Sequence, residues 1–365
     1  MNTLKHARNL WLPLLTTMAL VCFGDAVAHV RYSVTDLGSE GNDDLGCAMS
    51  LNDQGWTEIM AGMLAPSQVD FTGGQLLSGR ALIDADGVKT DLGTLGGLNS
   101  WMMWGEINDW GQIVGDSETA APDPNGEDVC GFGTHLTCRP FLWQPVKFST
   151  RPTLGKMSAL PTLGGNNGQA SAINNWGQIV GFAEDGTVDS TCPVNTTNNR
   201  TDLPVLWENG HVHALPRVDN NPDGVAYWIN DQGEAVGYSG TCTTALHAVS
   251  WKAVSWKEDT ASVLPDLGTG AIAYGINNRG QIVGAVGSAD GTTQSGAIWQ
   301  NGRLTSISLL PGDFGGLATG INDKGQVVGS NYDSNGNWSH AFIWQDNVTT
   351  DLNTLFPAKP LCSHG

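Results

Sequence analysis

The sequence predicts an all-β protein, a six-bladed β-propeller built from four-stranded antiparallel blades. One recurring segment is Ile-Asn-x-x-Gly-Gln-Ile/Val-Val-Gly, which begins at Ile107, Ile173, Ile276 and Ile321 and, in an altered form, at Ile229. A second recurring segment is a short apolar run that ends in tryptophan, followed by a turn and one more short run. Units that repeat in this way are typical of propellers. A seven-bladed ring or an open array of β-repeats is the alternative fold.

The segment Ile321–Gly329 illustrates the first two strands of a unit and the turn between them. The side chain of Asn322 is placed to accept a backbone N–H two residues further on, and Gly325 supplies the positive φ that the turn requires. The β-branched pair after the turn favours a strand, whereas glycine recurs too often for a helix. The first unit has a degraded copy, Leu51–Gly55, whose closing glycine we expect to be delayed to Gly62.

The third strand of each unit ends in a tryptophan that we expect to pack between adjacent blades. An aromatic residue at the same place in every unit serves the fold. These tryptophans are Trp143, Trp207, Trp251, Trp299 and Trp344. The fourth strand ends in Asp-Leu or a variant of it, and a glycine-rich link such as Leu95-Gly96-Gly97 leads to the next unit.

Units two and three carry extra residues between their second and third strands, at Asp116–Arg139 and Phe182–Asp202. In an up-and-down blade this connection lies on the same face of the ring as the link to the next blade. The face of the ring that carries these connections is called the long-loop face. The opposite face, which carries the Asn-x-x-Gly turns, is called the tight-turn face. Because loops on a rigid scaffold commonly carry recognition, we expect the binding surface on the long-loop face.

The N-terminal segment 1–28 has the features of a secretory signal, namely a basic start, an apolar run and the cleavage site Ala26-Val27-Ala28. We expect cleavage after Ala28 and a secreted, extracellular protein without a membrane span, with the periplasm as the alternative location. The rest is then one propeller domain, 29–357, with a tail, 358–365. Its first strand, Arg31–Leu37, is expected to pair with the final blade. The six repeats span about 38–97, 98–165, 166–218, 219–269, 270–316 and 317–357.

The chain is strongly acidic. It has 17 basic and 36 acidic residues, and removal of the signal leaves 15 and 35, a net charge of −20. Such a field repels nucleic acid and anionic lipid, so we expect neither as a partner. Solubility outside the cell explains the acidity, and we expect a monomer.

Six cysteines remain after removal of the signal, and an even number in an exported chain favours disulfides. Of the fifteen connectivities, we favour Cys130–Cys138, Cys192–Cys242 and Cys47–Cys362. We expect no metal and no cofactor, because no C-x-x-C pair or histidine cluster occurs and His211 and His213 lack a third ligand. The segments Asp84–Gly87 and Asp333–Asn337 resemble calcium loops, but both lack the distal glutamate and are better interpreted as hairpin turns.

These repeats resemble those of a bacterial family of exported proteins named for the His-Ala-Phe, or HAF, repeat. The resemblance is carried by His340–Trp344, Ile321–Gly329 and Asp91–Gly97, and it is specific in units two to six and weak in unit one. Only His340 and His247 keep the histidine of the repeat. The resemblance implies an extracellular or surface location and a repeat fold. It implies no established activity and supplies no catalytic residues.

The candidate binding residues are tryptophans and acids that depart from the repeat. Trp104 and Glu106 in unit two and Trp228 in unit four stand where the first strands of other units have small residues, so we expect them to fill or line the axial channel. Filling space is one role, and stacking on a sugar beside Glu106 is the other. Trp56, Trp110 and Trp176 occupy turn positions, where they either stack on a glycan or partner, or fold back on a neighbouring blade.

The function that we predict is non-catalytic: a binding or structural module that recognises a glycan or a protein partner. The alternative is a polysaccharide hydrolase or lyase, which needs paired carboxylates that converge at the mouth of the channel. The local cluster that could supply such a pair is Glu106, Asp116, Asp123 and Asp128. Of these, Asp123 and Asp128 also belong to the predicted binding surface on the long-loop face.

Overall fold

The computed structural model describes residue 37 and residues 45–64, 76–102, 107–146, 154–193, 198–242 and 251–355. The expected signal segment, most of the first strand 31–37 and the tail lie outside these ranges. So do Trp104, Glu106, His247 and Cys362.

The described chain is all-β, and the predicted six-bladed propeller is confirmed. Six four-stranded sheets follow each other in the chain, and each is a simple antiparallel meander from its first strand to its fourth. Blade 1 contains β1 (Leu45–Leu51), β2 (Thr57–Leu64), β3 (Leu76–Ala85) and β4 (Val88–Asp91). Blade 2 contains β5 (Gly96–Trp101), β6 (Ile113–Pro122), β7 (Leu136–Pro145) and β8 (Gly155–Ala159). Blade 3 contains β9 (Gly168–Ile173), β10 (Ile179–Val188), β11 (Arg200–Glu208) and β12 (His211–Ala214).

The second half of the ring has the same plan. Blade 4 contains β13 (Asp223–Ile229), β14 (Glu234–Gly240), β15 (Lys252–Lys257) and β16 (Thr260–Val263). Blade 5 contains β17 (Ala271–Ile276), β18 (Ile282–Gly287), β19 (Gln294–Gln300) and β20 (Arg303–Ser306). Blade 6 contains β21 (Gly315–Ile321), β22 (Val327–Tyr332), β23 (Trp338–Gln345) and β24 (Val348–Asp351). A short 3-10 helix, Leu352–Leu355, follows β24, and no described helix has the length and apolar character to cross a membrane.

The turn between the first two strands of a blade has the predicted geometry. In blade 6, Asn322 Oδ1 accepts the backbone N–H groups of Lys324 and Gln326, both at 3.0 Å, and Gly325 has φ +79°. Blade 1 has the same turn, because Asn52 Oδ1 accepts from Gln54 and Trp56 in the same way. The short asparagine side chain therefore closes each turn locally.

The expectation of a delayed glycine in blade 1 is wrong. Leu51 pairs with Thr57, as Ile107 pairs with Ile113 in blade 2, so the turn has its usual length. Ile59 thus occupies the place that Gly115 has in blade 2. Gly62 lies further along β2, opposite Gly79 of β3.

The tryptophan near the end of the third strand is buried between blades, as predicted, in blades 2, 3 and 5. These residues are Trp143, Trp207 and Trp299. In blade 4, however, this residue is Trp256 and not Trp251, since Trp256 pairs with Ala235 on β14. Its indole N–H donates to Pro216 O at 3.0 Å, just as the indole of Trp207 donates to Pro161 O at 2.7 Å. The error has a cause in the sequence: Ala-Val-Ser-Trp-Lys occurs twice in tandem, at 248–252 and 253–257, and the fold uses the second copy.

Neighbouring blades are held together by the valine that precedes the last glycine of the repeat. Val283 of blade 5 is fully buried in a cluster with Ala318, Val327 and Phe342 of blade 6. Blade 1 has Glu58 at this position. Its carboxyl group is fully buried without a described hydrogen-bond partner, and burial raises the pKa of Glu58 well above its usual range.

Two of the three predicted disulfides are confirmed. Cys130 bonds to Cys138 within the long loop of blade 2, and Cys192 bonds to Cys242 between blades 3 and 4. Cys47 is half-buried and bonds to no described cysteine, while its predicted partner lies outside the described residues. The disulfides are compatible with an extracellular protein.

Candidate functional site: the tight-turn face

The six tight turns surround one cavity of about 310 Å³ on the axis of the ring. Each turn contributes its asparagine and the residue after it. The first set is Asn52, Asn108, Asn174, Asn230, Asn277 and Asn322, and the second is Asp53, Asp109, Asn175, Asp231, Asn278 and Asp323. The cavity is therefore lined by amide and carboxylate groups at its mouth.

The first set of residues ties the blades to one another. Asn108 Nδ2 donates to Asn174 O at 3.1 Å, and Asn174 Nδ2 donates to Asn230 O at 3.0 Å. The same bond recurs from Asn52 to Asn108, from Asn230 to Asn277 and from Asn277 to Asn322. These amide groups are thus satisfied within the protein, and they hold the six turns at a fixed spacing.

The second set forms the rim of the cavity. The five rim side chains of blades 2 to 6 each accept the backbone N–H of the equivalent residue in the preceding blade, as Asn175 Oδ1 does from Asp109 N at 2.9 Å. Carboxylates and amides alternate along part of the rim, because Asn175 Nδ2 lies 2.9 Å from Asp109 Oδ2 and 3.3 Å from Asp231 Oδ2. Amides placed between carboxylates keep like charges apart. The rim is consequently acidic and preorganised.

Two tryptophans stand beside this rim on adjacent blades. Trp110 of blade 2 is 69% exposed and Trp176 of blade 3 is 77% exposed. Each indole N–H donates to the turn of the next blade: Trp110 to Asn175 O at 3.0 Å and Trp176 to Asp231 O at 2.8 Å. The indoles thus contact the neighbouring blade, as one interpretation expects, and they also keep most of their surface in solvent. The half-buried Trp56 instead packs against the core between blades 1 and 2.

The same turn position differs around the ring. In blades 1 and 4 it is Gln54 and Gln232, in blades 2 and 3 it is tryptophan, and in blades 5 and 6 it is Arg279 and Lys324. The tight-turn face therefore has an aromatic side and a basic side. Sequence reasoning missed the basic side, although comparing the third turn residue of every unit would have found it.

Trp228 lines the axial cavity, as predicted. It is half-buried and packs against the core between blades 4 and 5. It therefore both supports the fold and presents part of its surface to the cavity. Trp104 and Glu106, its predicted companions in blade 2, lie outside the described residues.

On the long-loop face, the two predicted carboxylates cap turns of their own loop. Asp123 is buried, and its Oδ1 accepts from Asn125 N and Glu127 N while its Oδ2 accepts from the side chain of Asn167. Asp128 Oδ2 accepts from Gly133 N at 2.8 Å. These bonds explain the two acids as structural groups of their loop.

Asp116, the other described member of the predicted catalytic cluster, is buried in blade 2. Desolvation raises the pKa of Asp116 to about 7, against a hydrogen bond from Gln169 Nε2 at 2.8 Å that lowers it. Its carboxylate lies near the sulfurs of Cys130 and Cys138. Those sulfurs are joined in a disulfide, and metal binding requires thiolates, so this group does not form a metal site.

The two segments that resemble calcium loops are hairpin turns, as predicted. Asp84 Oδ1 accepts from Gly87 N at 2.8 Å, and Asp333 Oδ1 accepts from Asn335 N and Asn337 N. His211 and His213 lie together on β12 with ring centroids 6.5 Å apart, and no described cluster of potential metal ligands includes them.

Comparison with known proteins bears on the fold alone. No protein-family model matches the chain, and no curated protein sequence matches it. The β-propeller domain of the Trilobed protease from Pyrococcus furiosus is similar over 86% of this chain and 97% of that chain, with 10% sequence identity and a TM-score of 0.40. An acylaminoacyl peptidase matches over 86% of this chain and 53% of that chain, with 11% identity and a TM-score of 0.47. The gluconolactonase XC5397 from Xanthomonas campestris matches over 80% of this chain and 84% of that chain, with 10% identity and a TM-score of 0.39. Likeness at this level carries no inference about activity.

Proposed function

We propose that this protein is an exported, non-catalytic binding module that holds a glycan on its tight-turn face. The observation that carries the proposal is the pair of exposed indoles, Trp110 and Trp176, fixed beside the acidic rim of the axial cavity. An indole offers a flat apolar surface to the C–H face of a sugar, and neighbouring carboxylates and amides accept and donate hydrogen bonds to its hydroxyl groups.

The geometry favours binding because the indoles are already in place. Each is held by a hydrogen bond from its N–H to the next blade, so little side-chain freedom is lost when a ligand docks. The rim side chains are held in the same way by the backbone of the preceding turn. A rigid aromatic pair beside a rigid polar rim is suited to a saccharide chain that lies across blades 2 and 3.

The acids with a raised pKa lie away from the rim, whose carboxylates are Asp53, Asp109, Asp231 and Asp323. Burial raises the pKa of Glu58, Asp116 and Glu127, as a general acid requires, but these groups do not line the axial cavity. This separation supports a module without catalysis. Export is supported by the two disulfides and by the resemblance to exported HAF-repeat proteins. We place the protein outside the cell, after cleavage following Ala28.

A glycan array followed by calorimetry with the best binder tests the proposal. We expect Trp110→Ala and Trp176→Ala each to weaken binding about 10-fold, equivalent to about 1.4 kcal/mol. Trp338→Ala is the matched control, since Trp338 is 46% exposed on blade 6 and does not line the axial cavity. Unchanged affinity in both tryptophan variants contradicts the proposal, and release of shortened products from a polysaccharide supports the enzyme instead.

A further inference from the structure

A second cavity of about 780 Å³ lies between blades 5 and 6 on the tight-turn face, on the side of the ring opposite blades 2 and 3. We call it the basic groove. Its lining includes three basic residues, Arg279, Arg303 and Lys324, and one carboxylate, Asp346. Amide side chains complete the polar part of the lining: Gln281, Gln300, Asn301 and Asn347. In a chain with 17 basic residues and a net charge of −19, three basic residues in one groove are a marked local excess.

The three basic side chains are exposed and take no part in the ion pairs among the described residues. Other lysines and arginines of the ring do take part, such as Lys257 with Glu234 and Arg217 with Asp185. A cation without a partner carbonyl or carboxylate keeps its donors available. The groove therefore presents positive charge that the fold itself does not use.

The turn geometry aims one of these cations into the groove. Arg279 is the third turn residue of blade 5, and its side chain extends across the turn of blade 6. A Cβ atom at Gly325 would lie 3.4 Å from Arg279 Nη2 and 3.4 Å from Gln281 Oε1. Arg303 starts β20 directly after the turn at Asn301, so it approaches the same groove from the outer part of blade 5.

The wall of the groove also contains an indole that the fold leaves partly free. Trp344 lies near the end of the third strand of blade 6. The equivalent residue of blade 5, Trp299, is buried, and its indole N–H donates to Pro265 O at 2.7 Å. The residue equivalent to Pro265 is Ser308, and its carbonyl accepts from Thr349 Oγ1 at 2.8 Å. Trp344 is half-buried and makes no hydrogen bond to a described residue. Its indole N–H and ring are thus available in the groove.

From these contacts we propose that the basic groove is a second binding site, for an anionic oligosaccharide that carries carboxylate or sulfate groups. The planar guanidinium groups of Arg279 and Arg303 bind oxyanions through paired hydrogen bonds, and Lys324 adds a third positive charge. The amides suit sugar hydroxyl groups, and Trp344 suits a sugar ring. This mixture favours a charged saccharide over an acidic peptide. The site is separate from the aromatic pair and does not depend on it.

Binding to the mature protein is measured by calorimetry with four probes: oligogalacturonate, a dextran sulfate oligosaccharide, neutral dextran and polyglutamate. We expect one or both anionic saccharides to bind and neutral dextran not to bind at this site. Comparing the two anionic saccharides separates carboxylate from sulfate recognition. The double variant Arg279→Gln/Arg303→Gln should lose at least 10-fold in affinity. Because the cations are exposed, added salt should weaken the interaction of the wild type.

Two controls keep this site distinct from the one on blades 2 and 3. Lys257→Gln removes a positive charge outside the groove and should leave binding of the anionic probe unchanged. Trp110→Ala should also leave it unchanged, even though it weakens the proposed glycan site. Three results would overturn the proposal: neutral dextran binding that the double variant weakens as much as it weakens anionic binding, wild-type affinity for the anionic saccharides in the double variant, or tighter binding of polyglutamate than of either anionic saccharide. Circular dichroism confirms that the variants are folded.

Discussion

The side-chain amide of Asn108 donates to the backbone carbonyl of Asn174, 66 residues later in the chain, at 3.1 Å. The same asparagine accepts two backbone N–H groups of its own turn, from Trp110 and Gln112. One short side chain thus shapes a local turn and joins two blades. Because the bond recurs around the ring, the asparagines that stabilise the blades also fix the positions of the rim and of the exposed indoles beside it.

Replacement of one of these asparagines should reveal the two roles separately. Asn174→Ala removes the bond to Asn230 O and removes the turn cap, so the N–H groups of Trp176 and Gln178 lose their acceptor. Asn322→Ala removes the same cap from an exposed turn without a described bond to a following blade. We expect Asn174→Ala to lower the free energy of unfolding by about 1–3 kcal/mol more than Asn322→Ala does. Urea denaturation measures both, and equal losses contradict a role of Asn174 between blades.

The tandem Ala-Val-Ser-Trp-Lys copies lead to a prediction about strand register. Trp256 is 1% exposed, whereas Trp251 is half-buried against Tyr238, with ring centroids 4.9 Å apart. We expect Trp256→Ala to cost about 3–5 kcal/mol, as for other buried tryptophans, and Trp251→Ala to cost clearly less. Thermal unfolding of both variants and of the double variant checks this. Small losses in both single variants with a large loss in the double variant would instead show that the two copies can exchange places in β15.

Burial of Asp116 predicts a dependence of stability on pH. The pKa of Asp116 in the folded protein, about 7, lies above the usual value of about 3.9, so the folded state keeps a proton that the unfolded chain releases. The free energy of unfolding is therefore highest, as far as Asp116 is concerned, below about pH 4, and it falls as the pH rises towards 7. Asp116→Asn keeps an acceptor for Gln169 and has no charge to bury. We therefore expect it to raise the free energy of unfolding by up to about 4 kcal/mol at pH 8, and by little at pH 4.

Urea denaturation of the wild type and Asp116→Asn at pH 4, 6 and 8 measures this difference. The gap between the two proteins should widen as the pH rises. A gap that stays constant over this range would mean that Asp116 titrates normally in the folded protein.

Much of the blade could be predicted because its determinants are close together in the sequence. The asparagine cap and the glycine at positive φ lie within one turn, so their chemistry is visible in any single repeat. The disulfide Cys130–Cys138 is similarly local, with a sequence separation of 8 residues. The exposure of Trp110 and Trp176 follows from their position in such a turn, although the hydrogen bonds that fix them to the next blade do not.

The mistaken expectations each depended on pairing between strands. Trp251 has a spacing that fits the repeat, but the register of β14 and β15 places Trp256 opposite Ala235. Asp123 was expected at a binding surface, yet the side chain of Asn167 from the following blade reaches it and completes its hydrogen bonds. Neither contact could be predicted from the residues next to Trp256 or Asp123 in the sequence, because the partner lies on another strand or blade.

The sequence by itself determined the number of blades, their four-stranded plan and the chemistry of each tight turn, since these depend on short-range patterns of apolar residues, asparagine and glycine. Only the tertiary structure decided which side chains from different blades share a surface. Closure of the chain around an axis puts Asp109, Asn175 and Asp231 on one rim, and it brings Arg279 and Arg303 of blade 5 to the turn of blade 6. The physical reason is that packing of one blade on the next decides which side chains become neighbours on a surface. The local repeat pattern makes this packing possible, but it does not specify which side chains meet.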